Sequence, residues 1–280
     1  MNDRLYALLQ ERFGAPLSDP LTDGLPDAWH AIAGRGSCRH FTDDPVSGSL
    51  IETLCALAFC SPSKSDLQQR DIILIEDERL RVVLNQLLTT GPMAQEWISK
   101  APHILVFCGN NRRQRQIHQM RGKPFVNDHL DALFNPAVDA GIALAGFMQA
   151  AEAMGLGCCP ISAIRNEAQQ VSNLLGLPDH VFPVAGLALG WPKFPPRVTM
   201  RLPLTATLHK DQFNEENISG DIETYDQQRN AHRPMGTQRD VEIHGVAEPY
   251  GWSEDKARQY TKPEREHFGA FIKSKGFTLE

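Results

Sequence analysis

The order of periodic segments predicts an α+β fold. Helical and strand-like runs are interleaved along the chain without the regular alternation of a parallel βαβ sheet. Three short apolar runs read as strands, over residues 71–75, 102–108 and 181–189. The third observation is a helix from Asn135-Pro136 to Met154, the least polar of the chain and rich in Ala140, Gly141, Ala143, Ala145, Gly146, Ala150 and Ala151. Small side chains round much of its circumference permit close backbone approach, so it is expected to be the central buried helix.

The elements follow in order. Leu5, Leu8, Leu9 and Arg12/Phe13 recur at helical spacing, and Gly14 ends that run. Ser18-Asp19-Pro20 through Asp27 is turn-rich and reads as a linker, so residues 1–30 form an N-terminal arm. Ser47 can cap a helix over 48–60 with Leu50, Leu54, Leu57 and Ala58 on one face. A polar loop, Cys60 to Gln68, leads into the buried strand 71–75 and a helix over 77–88, which breaks at Thr89-Thr90-Gly91-Pro92. Strand 102–108 ends at Gly109-Asn110, and residues 111–130 read as a helix followed by a mobile excursion. Gly155 stops the small-residue helix, and Asn166-Glu167-Ala168-Gln169 is a capping box opening a helix that turns Val171, Leu174 and Leu175 inward. After strand 181–189 comes a proline- and arginine-rich loop over 193–203. Helices are expected over 221–233 and 263–275, with irregular chain over 234–252.

Apolar residues make up 41% and charged residues 22%, ordinary values for a globular chain. A net charge of −6 argues against a general nucleic-acid binder, so any anion site must be local. No apolar run has membrane-spanning length and the N-terminus lacks a signal core, which makes the cytoplasm the default compartment. Six scattered cysteines, with Cys158 and Cys159 adjacent, show neither a disulfide framework nor zinc-ligand spacing.

The stretch Arg35-Gly36-Ser37-Cys38-Arg39-His40-Phe41 carries most of the chemistry. If extended, it puts Arg35, Ser37 and Arg39 on one face, where two guanidiniums and a hydroxyl suit a phosphate monoester. A solvated basic turn is the plainer alternative. Gly155-Leu156-Gly157 through Asn166 offers exposed backbone to a flat ligand, or is simply a tight helix-to-strand connection. Ser61, Ser63, Ser65 and Gln68 carry groups that suit the edge of a polar heterocycle, or form a solvated loop. Arg197 and Arg201 can add cations to a phosphate site. No hydrolase triad, nucleophile elbow, Walker loop or His-Glu-x-x-His is present.

Together these pieces resemble the FMN-dependent nitroreductase family, most strongly its oxygen-insensitive, NADPH-preferring flavin reductase branch. Four stretches carry the resemblance: Arg35 to Thr42; Ser61-Pro62-Ser63 to Gln68; Gly155 to Asn166; and Leu189-Gly190-Trp191-Pro192 to Leu202-Pro203. It implies a central mixed or antiparallel sheet surrounded by helices, in an intertwined homodimer with two FMN molecules at the subunit interface. Residues 31–210 would then form the FMN-binding core, and 211–280 a C-terminal extension covering the active site or the partner subunit. By the same resemblance Arg35, Gly36, Ser37, Arg39 and Arg201 hold the phosphate and ribityl side, with Arg39 also near the pyrimidine edge. Ser61, Ser63 and Gln68 contact the ring from the second subunit, while Pro160, Ile161, Ser162 and Ala163 line it. The implied reaction is ping-pong: a hydride passes from NADPH or NADH to the flavin, then to a nitroaromatic, a quinone or free flavin. The cofactor carries that chemistry, so no side-chain acid or base is expected.

Three positions depart from the branch. Ser162-Ala163 stands where Gly-Gly is common, and Thr199 where a lysine often accompanies the later arginine. No arginine matches those of the NADPH-binding loop near Ile243-His244-Gly245, although Arg265 fits an arginine at the site mouth. A dehalogenase or flavin-consuming enzyme of the same fold, and a flavin-binding protein without turnover, are the alternative functions.

Overall fold

The computed structural model describes residues 2–17, 20–21, 25–89 and 95–280. The expected linker over 18–27 and the break at 89–92 therefore lie partly outside the described residues. In chain order the helices are α1 (Asn2–Phe13), α2 (Asp27–Gly34), α3 (Gly48–Phe59), α4 (Glu78–Thr89), α5 (Arg112–Met120), α6 (Asp131–Ala153), α7 (Ala168–Leu174), α8 (Ile218–His232), α9 (Val241–His244), α10 (Trp252–Gln259) and α11 (Phe268–Ser274). The strands are β1 (Arg70–Leu74), β2 (His103–Asn110), β3 (Gly157–Ile161) and β4 (Val181–Gly190). The chain forms two compact units, one of Met1–Gly36 with Arg197–Glu264, the other of Ser37–Pro196 with Arg265–Glu280.

The larger unit holds an antiparallel sheet of order β1-β2-β4-β3. Alternation along the strands sorts side chains to its two faces. Ile104, Val106, Cys108, Cys159, Ile161 and Ala188 face Leu84 and Leu88 of α4 and Val171 of α7. Leu105, Phe107, Cys158, Leu187 and Leu189 face Ile51, Leu54 and Ala58 of α3 and Ala143, Phe147 and Ala151 of α6. The register between β2 and β4 slips at Phe107/Cys108, which accommodates Pro183 inside a strand. The Val184 carbonyl accepts a hydrogen bond from Arg165 there.

Several expectations need correcting. The segment 157–161 is a fourth strand, not a connection; at the sheet edge Pro160 removes no essential ladder bond. β1 is also an edge strand and only half-buried after Arg70. β2 runs on through Gly109-Asn110 because both residues pair with β4, opposite Phe182 and Val181; the Phe182 ring lies 2.6 Å from where a Cβ on Gly109 would be, so glycine at 109 makes room for it. On α3 the buried face is Ile51, Leu54 and Ala58, whereas Leu57 is 50% exposed. Ser47 does accept from Leu50 N–H at 3.2 Å as a cap. No capping box forms at α7: its N-cap Glu167 makes no side-chain cap bond, its carboxylate accepting from Gln170 Nε2 at 2.9 Å, and Asn166 Oδ1 accepts from Arg265 at 3.2 Å. α6 begins at Asp131, one turn before Asn135. The excursion after α5 is fastened rather than loose, by an Arg115–Asp128 ion pair, the Arg115 guanidinium 4.5 Å from the centre of the Phe125 ring, and Leu130 N–H on Glu280 O. The helix expected over 263–275 is shorter, α11 starting only after Arg265, whose φ of 55° falls in the left-handed region; a further helix that was not expected, α10, starts at Trp252. Helix α2 spans residue 30, where the arm was expected to end.

Candidate functional site

In the larger unit, Ser37–Thr42 runs extended between β3 and the segment after β4. Cys38 N–H donates to Cys158 O, Lys193 N–H to His40 O and Thr42 N–H to Trp191 O, each at 2.9 Å. The approach is possible because residue 157 is glycine: a Cβ there would lie 2.6 Å from the Cys38 side chain. Ser37 and Arg39 both stay exposed. Arg39 reaches a cleft of about 440 Å³ that Phe41, Glu96, Trp97, Lys100 and Lys193 also line. Its guanidinium carbon lies 5.7 Å from the Trp97 ring centroid. Three cations, one carboxylate and an aromatic wall make a donor set suited to a flat anionic heteroaromatic.

The loop after α3 carries Ser61, Ser63 and Gln68. Three of its non-glycine residues, Ser65, Asp66 and Gln68, have φ of 49°, 56° and 52°, conformations that need external support. That support is the fully buried Asp139 of α6. Its Oδ1 accepts from Lys64 N–H at 2.9 Å and its Oδ2 from Gln69 N–H at 3.1 Å. Arg70 adds a second tie by donating to Phe59 O at 2.9 Å and Ser61 O at 2.7 Å. The Ser63 hydroxyl accepts from Gln68 N–H at 3.1 Å, and the Gln68 amide donates to Asp66 at 3.1 Å. Ser61 Oγ points onto α6, 2.4 Å from where a Cβ on Gly146 would sit.

Across the sheet edge, Pro160 and Ser162 are exposed and Ala163 is half-exposed. The Ile161 side chain belongs to the core, so only its backbone is available to a ligand. Arg265 is held over this segment by its bond to Asn166.

The smaller unit contains the other cations. Gly36 is buried, and a Cβ on it would fall 2.2 Å from Arg197 O, so the chain near 36 and near 197 touch backbone to backbone. Arg35 is half-exposed, and Arg197 and Arg201 are exposed. Arg201 turns back on its own loop, donating to Thr199 Oγ1 at 2.7 Å. Arg12 binds the backbone on both sides of this group. Sequence reasoning missed Arg12, Trp97, Lys100, Lys193 and Asp139 as site residues. Only Asp139 left a signal, as an acid in the interior of the most apolar helix, whose other acids, Asp131 and Glu152, sit at its two ends.

The sequence matches the nitroreductase family over residues 32–191 and the nitroreductase family C-terminal domain over residues 200–280. The chain belongs to the nitroreductase family. It is 30% identical over 253 residues to an FMN reductase [NAD(P)H] of Bacillus subtilis, covering 89% of this chain and 97% of that one. An oxygen-insensitive NADPH nitroreductase of Salmonella typhimurium is 32% identical over 251 residues, 88% of this chain and 96% of the relative. Among solved structures, NfrA2 of Bacillus megaterium superposes with a TM-score of 0.80 at 30% identity, covering 91% of this chain and all of the other. The fold expected from the resemblance, helices around an antiparallel sheet, is the one found.

Proposed function

We propose that this protein is an FMN-dependent NAD(P)H oxidoreductase that reduces nitroaromatics, quinones or free flavin. The observation that carries it is the family match, together with the cation-lined aromatic cleft around Arg39. When bound, FMN supplies the hydride acceptor and donor, which is what a ping-pong exchange between nicotinamide and acceptor needs. The chain's own residues bind and orient. Arg35 and Arg201, with the backbone at Gly36 and the Ser37 hydroxyl, hold the phosphate as charge-assisted donors. Arg39 places fixed positive charge where negative charge develops. Ser61, Ser63 and Gln68 present polar groups from a loop that Asp139 and Arg70 hold rigid. Pro160, Ser162 and Ala163 form the surface at the sheet edge, with Arg265 beside it. Anaerobic bleaching of an FMN absorption band by NADPH or NADH, and its recovery on adding nitrofurazone or a quinone, tests the reading. A colourless protein, or a yellow one that neither nucleotide bleaches, overturns it.

We place the enzyme in the cytoplasm; among the described residues no helix is long and apolar enough to cross a membrane. We also assign a homodimer. Leu130, Phe134 and Val138 recur every fourth residue at the start of α6 and are 51%, 60% and 40% exposed, an apolar stripe that a second copy would cover. Light scattering at micromolar concentration is expected to give twice the chain mass. A monomer carrying stoichiometric FMN would contradict a site shared between subunits.

Nicotinamide preference is expected to be weak. Arg239 does not present a free cation to a 2′-phosphate, because its Nε is bound to the buried Asp255 carboxylate at 2.9 Å. Burial raises the Asp255 pKa, but bonds from Lys256 and Tyr250 and the charge of Arg239 more than offset this and hold it below the usual carboxylate range. Arg258, also buried, ties the Arg239 and Gly245 carbonyls together, both at 2.9 Å. Steady-state kcat/KM for NADPH and NADH should agree within about tenfold, or ~1.4 kcal/mol of transition-state difference. A preference above about a hundredfold that collapses in Arg239→Ala would reverse this assignment of Arg239.

A further inference from the structure

We propose that Arg12, on the N-terminal helix α1, is a positioning residue for the phosphate anchor, resting on the assignment of Arg35 and Arg201 to that phosphate. The whole of α1 precedes the stretch that matches the family, which begins at residue 32. Its last turn nevertheless lies between the two cation-bearing segments of the smaller unit. Arg12 is 8% exposed and spends its guanidinium on backbone carbonyls. Nε and Nη2 donate to Ala33 O at 3.2 and 2.8 Å, and Nη2 also donates to Arg35 O at 2.7 Å. Nη1 reaches the other segment, donating to Thr199 O at 3.1 Å. The Arg12 carbonyl then accepts from Arg201 N–H at 2.7 Å, so one residue holds the backbone of both anchors.

Two further contacts leave this arrangement little slack. The backbone at Gly36 abuts that of Arg197, and the buried Tyr225 hydroxyl donates to Met200 O at 3.2 Å. A planar fork of five donors makes these four contacts to two chain segments at once, an arrangement the three donors of a lysine ammonium cannot reproduce. Thr199, where the family branch often has a lysine, supplies its carbonyl to Arg12 and its hydroxyl to Arg201. With one cation fewer at that position, a phosphate depends more on the spacing of Arg35 and Arg201. Arg12 sets that spacing without touching the ligand.

Phosphate dependence separates this role from ordinary structural support. Full-length protein stripped of flavin is titrated with FMN and with riboflavin, which lacks the phosphate, following flavin fluorescence. Wild type is compared with Arg12→Gln, with Arg12→Lys, and with the double variant Arg35→Ala/Arg201→Ala. Both Arg12 variants are expected to bind FMN about tenfold more weakly while riboflavin affinity moves less than about twofold. Arg12→Lys keeps the charge and stem of α1, so its loss reports the fork alone. Equal losses for FMN and riboflavin, or unchanged affinity for both, overturn the proposal, and a variant too unstable to bind either flavin counts as an equal loss. If the double variant loses its preference for FMN and the Arg12 variants keep theirs, positioning by Arg12 fails alone. If the double variant also keeps its preference, the assignment of Arg35 and Arg201 to the phosphate fails with it.

Discussion

Replacing Arg35 and Arg39 together with alanine is expected to yield protein that purifies largely without FMN. The main chain at both positions has its own ties: Arg35 follows α2 in extended conformation with its carbonyl held by Arg12 at 2.7 Å, and Arg39 lies in a segment fixed by main-chain bonds at Cys38, His40 and Thr42. Far-UV circular dichroism should therefore match the wild type. The loss falls on binding, where each charge-assisted hydrogen bond contributes about 1.5–3 kcal/mol, so two removed cations weaken FMN by at least about a hundredfold. Arg39 contributes twice over, because it also stacks near Trp97 in the cleft. The ratio of flavin to protein absorbance after purification reads occupancy directly, and titration of stripped protein gives the affinity. Full flavin occupancy in the double variant would remove the anchor role from both residues.

Much of this architecture was legible because hydrophobic period and chain stops are local properties. The strands at Ile72–Leu74, Ile104–Phe107 and Val184–Leu189 announce themselves by apolar runs, and the small-residue helix by its alanines and glycines. β3 was not legible: Gly157, Cys158, Cys159 and Pro160 have the composition of a turn, and only pairing with β4 makes them a strand. α10 was missed for the opposite reason, since its sequence is polar and its buried members are Asp255 and Arg258, held by an ionic network rather than an apolar stripe. The cleft shows the same limit. Arg39 stood out beside Ser37, but Trp97, Lys100 and Lys193 come from distant turns whose convergence no local pattern records. Arg12 reads as an ordinary helix-terminal arginine, and its work is done on carbonyls 21 and 187 residues away in sequence.

Asp139→Ala is expected to be the most damaging single substitution in the larger unit. A carboxylate with no exposed surface lies on α6 among alanines, Phe147 and Pro136, where burial without partners would be prohibitive. Its partners are the Lys64 and Gln69 N–H groups, one to each oxygen, at the two ends of a loop whose own backbone bonds are limited to short turns such as Leu67 N–H on Lys64 O. Alanine removes both charge-assisted bonds and leaves the two donors to find water or go unpaired, a cost of about 3–5 kcal/mol. Asp139→Asn keeps one carbonyl oxygen as acceptor but sets an amide N–H₂ against a backbone donor, so about half of that loss or more is expected to remain. For a chain this size the alanine variant should melt roughly 10 °C lower, measured at fixed protein and FMN concentration because bound flavin and subunit association both raise apparent stability. Hydrogen exchange localises the effect: the Lys64 and Gln69 amides should lose protection while Ile104 to Phe107 in the central strand keep theirs. Ser61, Ser63 and Gln68 lose their fixed geometry with the loop, so flavin binding weakens even though Asp139 faces no ligand. Unchanged protection at Lys64 and Gln69 would show that the positive-φ residues Ser65, Asp66 and Gln68 hold the loop without Asp139, and the carboxylate would then have no assigned role.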